Sequence, residues 1–211
     1  MQPITLAEIN TTKLINTNAK KWCADNLDYL NKPIKFFGSS LKVEKGADKY
    51  DTYIMYLQPA DKVATDSLCK FAELAGCKEP CLISSGQLGM STGQNAATKR
   101  TVLMILRTLD FSSTLLSEID KAERKALKTG IPALFRLNGT SDLDFSDIMR
   151  QRPDSLFYDY TKILSRVRKN SLSNYDLTFS GSMFSPQSKA ALRKAVASKH
   201  RIAMAYNTKG L

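Results

Sequence analysis

ALFRLNGTSDLDFSDIMRQRPDSLFYDYTKILSRVRKNSLSNYDLTFS, residues 133–180, is the stretch that decides the fold. Three runs rich in aromatic and aliphatic residues, ALFRLN at 133–138, SLFYDY at 155–160 and YDLTFS at 175–180, read as strands. The segments between them, 145–151 and 161–169, read as helices. Just downstream, PQSKAALRKAVASK at 186–199 is a helix with proline in its first turn, and IAMAY at 202–206 is a fourth strand. Strands that alternate with helices in this way are joined by crossovers, so the sheet is expected to be parallel.

Upstream, YDTYIMYL at 50–57 reads as another buried strand, ended by Pro59. One helix is expected over 94–109, with Val102, Ile105, Leu106 and Leu109 on one face. A second starts near Ser113 and stops at Gly130-Ile131-Pro132. Five or six strands are too few to close an eight-stranded barrel. The expected fold is therefore α/β: one domain with a mostly parallel sheet, open or half-barrel (a partial TIM-like form), over residues 49–211. Residues 1–48 read as an irregular N-terminal extension, with one amphipathic helix around 13–30 and a short strand at 35–37.

The bulk properties are those of a globular chain, 43% apolar and 24% charged over 211 residues. No apolar run is long enough for a membrane span, and the N-terminus has no basic start followed by an apolar centre. A cytoplasmic protein is expected. The net charge of +11 is concentrated at one end: residues 150–211 carry twelve Lys and Arg against three acids, a net of +9. That imbalance points to a polyanionic partner, most simply nucleic acid, with Arg150, Arg152, Arg166, Arg168, Lys169, Arg193 and Lys194 as phosphate contacts. Lys-rich helix faces kept for solubility are the competing reading.

In parallel α/β folds ligands bind beyond the C-terminal ends of the strands. Here those ends run into Asn138-Gly139-Thr140-Ser141-Asp142, Asp159-Tyr160-Thr161-Lys162, Ser180-Gly181-Ser182 and Asn207-Thr208-Lys209. The rim suits a polar ligand, although the same residue types also serve as turns and helix caps. Arg136 and Asp159 interrupt apolar strand patterns; they either pair with each other or face a polar side of the sheet.

Cys69, Cys77 and Cys81 crowd into thirteen residues just before the segment SSGQLGMSTG at 84–93. Three thiolates can share a metal or an iron–sulfur cluster and leave one position open for chemistry. Ordinary reduced thiols are the alternative. Zinc is less favoured, because it wants a fourth protein ligand and the sole histidine, His200, lies far along the chain. Cys23 reads as a core residue. Gly86 and Gly89 would let backbone amides approach an anion ahead of a helix, but the segment matches neither nucleotide-binding glycine pattern.

Taken in order, CKFAELAGCKEPCLISSGQLGM, NAATKRT, RLNGTSDLDFSDI, RPDSLFYDYTKILSRV and NYDLTFSGS resemble the gene product 88-like proteins of phages and plasmids, over residues 65–182. More distantly, the cysteine segment followed by α/β units is similar to phage proteins related to radical S-adenosylmethionine enzymes. That resemblance implies a [4Fe–4S] cluster held by Cys69, Cys77 and Cys81 at the mouth of a partial barrel, with S-adenosylmethionine as co-ligand. It also implies that Gly139, Thr140, Ser141, Asp142, Thr161 and Lys162 line the substrate side. Two features depart from that pattern: spacings of seven and three where radical enzymes have C-x3-C-x2-C, and an end at Leu211 where such relatives are expected to continue. A shortened or inactive version is expected on that ground. Two readings of function result. One is a phage- or plasmid-encoded protein, in the host cytoplasm, that binds a metal or cluster and acts on nucleic acid or nucleotide. The other is a non-enzymatic nucleic-acid-binding protein in DNA replication of a mobile element.

Overall fold

The structure is a computed structural model that describes residues 2–38 and 49–204. Short helices α1 (Leu6–Thr11), α2 (Thr17–Asp25) and α3 (Leu27–Asn31) lead into strand β1 (Phe37–Gly38). Strand β2 (Asp51–Met55) is followed by the cysteine segment, a 3-10 turn at Leu82–Ser84, the one-turn helix α4 (Gly86–Gly89), and the long helices α5 (Ser91–Leu106) and α6 (Thr108–Thr129). The α/β alternation then runs β3 (Ala133–Arg136), α7 (Ser146–Arg150), β4 (Leu156–Thr161), α8 (Leu164–Lys169), β5 (Tyr175–Ser180), α9 (Pro186–Ala197) and β6 (Ile202–Ala203).

The six strands form one sheet in the order β1-β2-β3-β4-β5-β6. Only β1 is antiparallel to its neighbour; β2 to β6 are all parallel. Because the parallel strands advance in one direction, right-handed crossovers place every connecting helix on the same face, as in a segment cut from a barrel. The sheet stays open, as the strand count implied.

Strand register sorts the side chains. Phe135 stands beside Phe157, and Phe157 beside Tyr175. These residues, with Met55, Leu137 and Leu177, bury against Val102, Phe111, Leu115, Ile119 and Ile148 of the helices. With a period of two, Arg136, Tyr158 and Tyr160 go to the other face. Ile4, Ile9, Ile15, Leu30 and Phe36 belong to the same core, so the N-terminal segment packs into the domain through three short helices.

Three expectations shift. The helix read as 94–109 starts at Ser91 and ends at Leu106, and the next begins at Thr108, not near Ser113. The break is at Arg107, whose non-helical backbone, φ −138° and ψ 53°, ends the helical run. Leu109 is consequently 85% exposed instead of lying on the buried face. Helix α5 is buried across the whole run from Ala97 to Leu103, including Lys99 and Arg100. An all-round burial of that kind leaves no single apolar stripe for the sequence to display. The segment 84–93, whose glycines were expected to lie ahead of a helix, is itself largely helical. Residues 205–211, which carry the end of the fourth predicted strand and the rim Asn207-Thr208-Lys209, lie outside the described residues.

Candidate functional site at the strand-end mouth

The C-terminal ends of β3 and β4 turn sharply into loops. After β3, Gly139 donates its N–H to the Met55 carbonyl at 2.9 Å. A Cβ at Gly139 would stand 2.6 Å from that carbonyl oxygen and 2.6 Å from the Tyr56 ring, so only glycine permits the approach. Thr140 Oγ1 donates to the Leu57 carbonyl. Asn138 then folds the loop on itself: its Oδ1 accepts from Ser141 Oγ at 2.9 Å and from the Leu143 N–H at 2.8 Å.

Asp142 ties this loop to the next strand end. Its carboxylate accepts from Thr161 Oγ1 at 3.0 Å and from the Lys162 N–H at 2.9 Å, and it pairs with Arg166 of α8. The Asp142 N–H in turn donates to the Leu68 carbonyl at 2.9 Å, anchoring the cysteine segment across the mouth. A second anchor is Ser182, whose Oγ donates to the Ala75 carbonyl at 2.8 Å. Beside it, Gly76 has a φ of +66°, and a Cβ there would lie 2.4 Å from the Phe184 ring.

These contacts enclose a cavity of about 200 Å³. Cys69, Cys77 and Cys81 line it together with Gly139, Thr140, Ser141, Asp142 and Lys162. Of the remaining residues expected at the mouth, Thr161 is buried beneath it against Asp142, and Gly86 and Gly89 bound α4 away from the cavity. Cys23 is fully buried in the core, where burial pushes its thiol up to about 11.

All three mouth cysteines are free and half-buried. Cys69 donates its S–H to the Thr140 carbonyl, Sγ to O 3.3 Å, and burial pushes its thiol up to about 11. The charges of Asp142, Cys81 and Cys77 add to that shift. Cys77 is raised by burial too, and the neighbouring Lys162 charge works against the shift. In donor type, number and access the set suits a metal–sulfur centre that keeps an open position. Among the described residues, however, no three Cys, His, Asp or Glu side chains form a cluster that could hold a metal ion. The thiols stand around the cavity as separate groups.

Asn138 and Tyr160 of the expected rim, and Arg136, also line the cavity. Arg136 was visible as a charge inside an apolar strand, the signal that it faces a polar space. Asp159 is buried, accepting from the N–H and Nδ2 of Asn138 at 3.2 and 3.1 Å.

The seven cations read as phosphate contacts divide. Arg150, Arg152 and Arg166 are paired with Asp147, Asp120 and Asp142. Arg168 and Lys169 on α8, and Arg193 and Lys194 on α9, are exposed. Arg150, Arg166 and Lys169 also line a separate polar cleft between α7 and α8. No helix among the described residues is long and apolar enough to cross a membrane.

This chain belongs to the gene product 88 family, whose model matches residues 14–210. No curated protein and no solved structure matches it.

Proposed function

We propose that this gene product 88 family member binds a metal or an iron–sulfur cluster through Cys69, Cys77 and Cys81 and acts on nucleic acid or a nucleotide at the strand-end mouth. The observation that carries the reading is the meeting of three accessible thiols and the loop after β3 around one cavity.

Cys69, Cys77 and Cys81 would hold the group; an iron–sulfur cluster with S-adenosylmethionine would supply radical chemistry there, and zinc would supply a Lewis acid. The chain's own residues do the rest. Asp142 fixes the Lys162 backbone and Arg166, which holds the mouth rigid. Gly139 lets the loop approach β2 closely enough to form the cavity floor. Phe184, packed on Gly76, ties the loop after β5 to the cysteine segment.

Exposed Arg168, Lys169, Arg193 and Lys194 favour the second reading, a non-enzymatic nucleic-acid binder of a mobile element. One preparation separates the two. After anaerobic purification, iron, zinc and acid-labile sulfide are quantified in wild type, in Cys77→Ser and in the core control Cys23→Ala. The first reading expects bound metal that is lost in Cys77→Ser and kept in Cys23→Ala. Colourless, metal-free wild type whose affinity for DNA or RNA falls steeply with salt establishes the second.

A further inference from the structure

Arg136 lines the cavity with donors to spare. It is 19% exposed, yet among the described residues none of its donors makes a hydrogen bond, and its Nε is buried without a partner. It pairs with Asp159 as one of the two expected readings had it, but at 3.6 Å from Nε to Oδ1, beyond hydrogen-bond reach, and the Asp159 carboxylate accepts its hydrogen bonds from Asn138. The guanidinium lies over the Tyr160 ring, 5.1 Å from its centroid. Stacking of that kind fixes the plane and leaves the N–H fork free for two parallel bonds to an oxyanion.

Lys162 lines the same cavity. Its backbone is pinned by Asp142, and its Nζ has only the Gly181 carbonyl, at 3.4 Å. No carboxylate among the described residues lies within ion-pair distance of it. Two cations thus share one small cavity, Arg136 paired at 3.6 Å with an Asp159 carboxylate that accepts its hydrogen bonds from Asn138, and Lys162 beside an Asp142 that pairs with Arg166. Both keep N–H donors with no acceptor among the described residues, and a buried donor left in that state is costly unless something answers it.

We propose that Arg136 and Lys162 form an oxyanion-binding subsite in the mouth, taking the carboxylate or phosphate group of a small ligand. The opposite wall, with Pro59, Ala60, Phe71 and Leu82, is apolar and accommodates an uncharged body behind the anionic head. A cavity of about 200 Å³ holds such a group and not a folded polymer. The subsite does not depend on any metal at the cysteines.

Isothermal titration calorimetry with inorganic phosphate and with butyrate, in a low-salt sulfonate buffer, tests it and separates the two sources of the oxyanion. Saturable binding of either probe by wild type is expected. Arg136→Gln and Lys162→Gln are each expected to weaken binding roughly tenfold or more. Binding by wild type is expected to be the same before and after treatment with a metal chelator, which keeps this result separate from the fate of the metal reading. Should Arg136→Gln fail to fold by circular dichroism, Lys162→Gln carries the test. Wild type that binds neither probe, or folded variants that bind as tightly as wild type, would overturn the assignment.

Discussion

Asp159 shows what the mouth costs the fold at the scale of one residue. Burial pushes its carboxyl up to about 7, against the opposing effects of Arg136 and the two Asn138 donors. An acid whose folded pKa is raised binds more protons folded than unfolded between the two values. The Asp159 contribution therefore makes the protein less stable as pH rises from about 4 to about 7, and is level above that. Glu8 acts in the opposite sense and in another window. Its bond to Arg107 lowers it to about 2, so its stabilisation is lost only as pH falls below the usual carboxylate range. Asp159→Asn is expected to gain stability relative to wild type across pH 4–7. Urea midpoints measured at steps through that window test this; parallel profiles for the two proteins would contradict it. In the sequence Asp159 was visible as an acid inside an apolar strand. That it turns to the Asn138 amide, and leaves Arg136 without a hydrogen bond, depends on strand register that local pattern does not carry.

At the scale of elements, α5 works as a pin. Its Lys99 is fully buried and donates to the Tyr29 and Lys32 carbonyls, with Nζ 4.7 Å over the Tyr29 ring. Burial, helped by the Lys32 charge, lowers its pKa to about 8. Next to it Arg100 reaches the Lys35 and Tyr56 carbonyls, at 2.9 and 3.3 Å, and Thr101 Oγ1 accepts from the Gln58 N–H at 2.8 Å. The motif NAATKRT thus joins the N-terminal helices to the segment after β2. Lys99→Met keeps the stem and removes the donors, and is expected to cost about 2 kcal/mol or more. Trp22, the sole tryptophan, donates Nε1 to Asn95 Oδ1 of α5 at 3.2 Å, so its emission reports the docking directly. Unchanged urea stability and unchanged Trp22 emission would contradict this role. The alternation after Pro132 was legible because strands and helices there each have one buried face and clear period. Helix α5 was legible as a helix but its burial was not, since a helix buried all round looks polar wherever its charges are answered by carbonyls.

At the scale of the molecule, a singly wound open sheet puts the helices on one side and all parallel strand ends at one rim. The rim collects the cysteine segment, which crosses from β2, and the loops after β3, β4 and β5. The sequence predicted that meeting through fold-level reasoning, from strand ends and clustered thiols. It picked out Arg136 as a charge in an apolar strand but not its lack of a hydrogen bond, because hydrogen-bond satisfaction is a property of three dimensions. The basic third of the chain is split in the same way, between cations that fasten α7 and α8 and cations left to solvent on α8 and α9. The account stands on the thiols at 69, 77 and 81 serving one inorganic centre. Crystals grown without oxygen, with anomalous differences collected at the iron and zinc edges, test it most directly. The account predicts one peak in the mouth, within bonding distance of all three sulfur atoms. A mouth without a peak, or a peak served by other side chains, would contradict it.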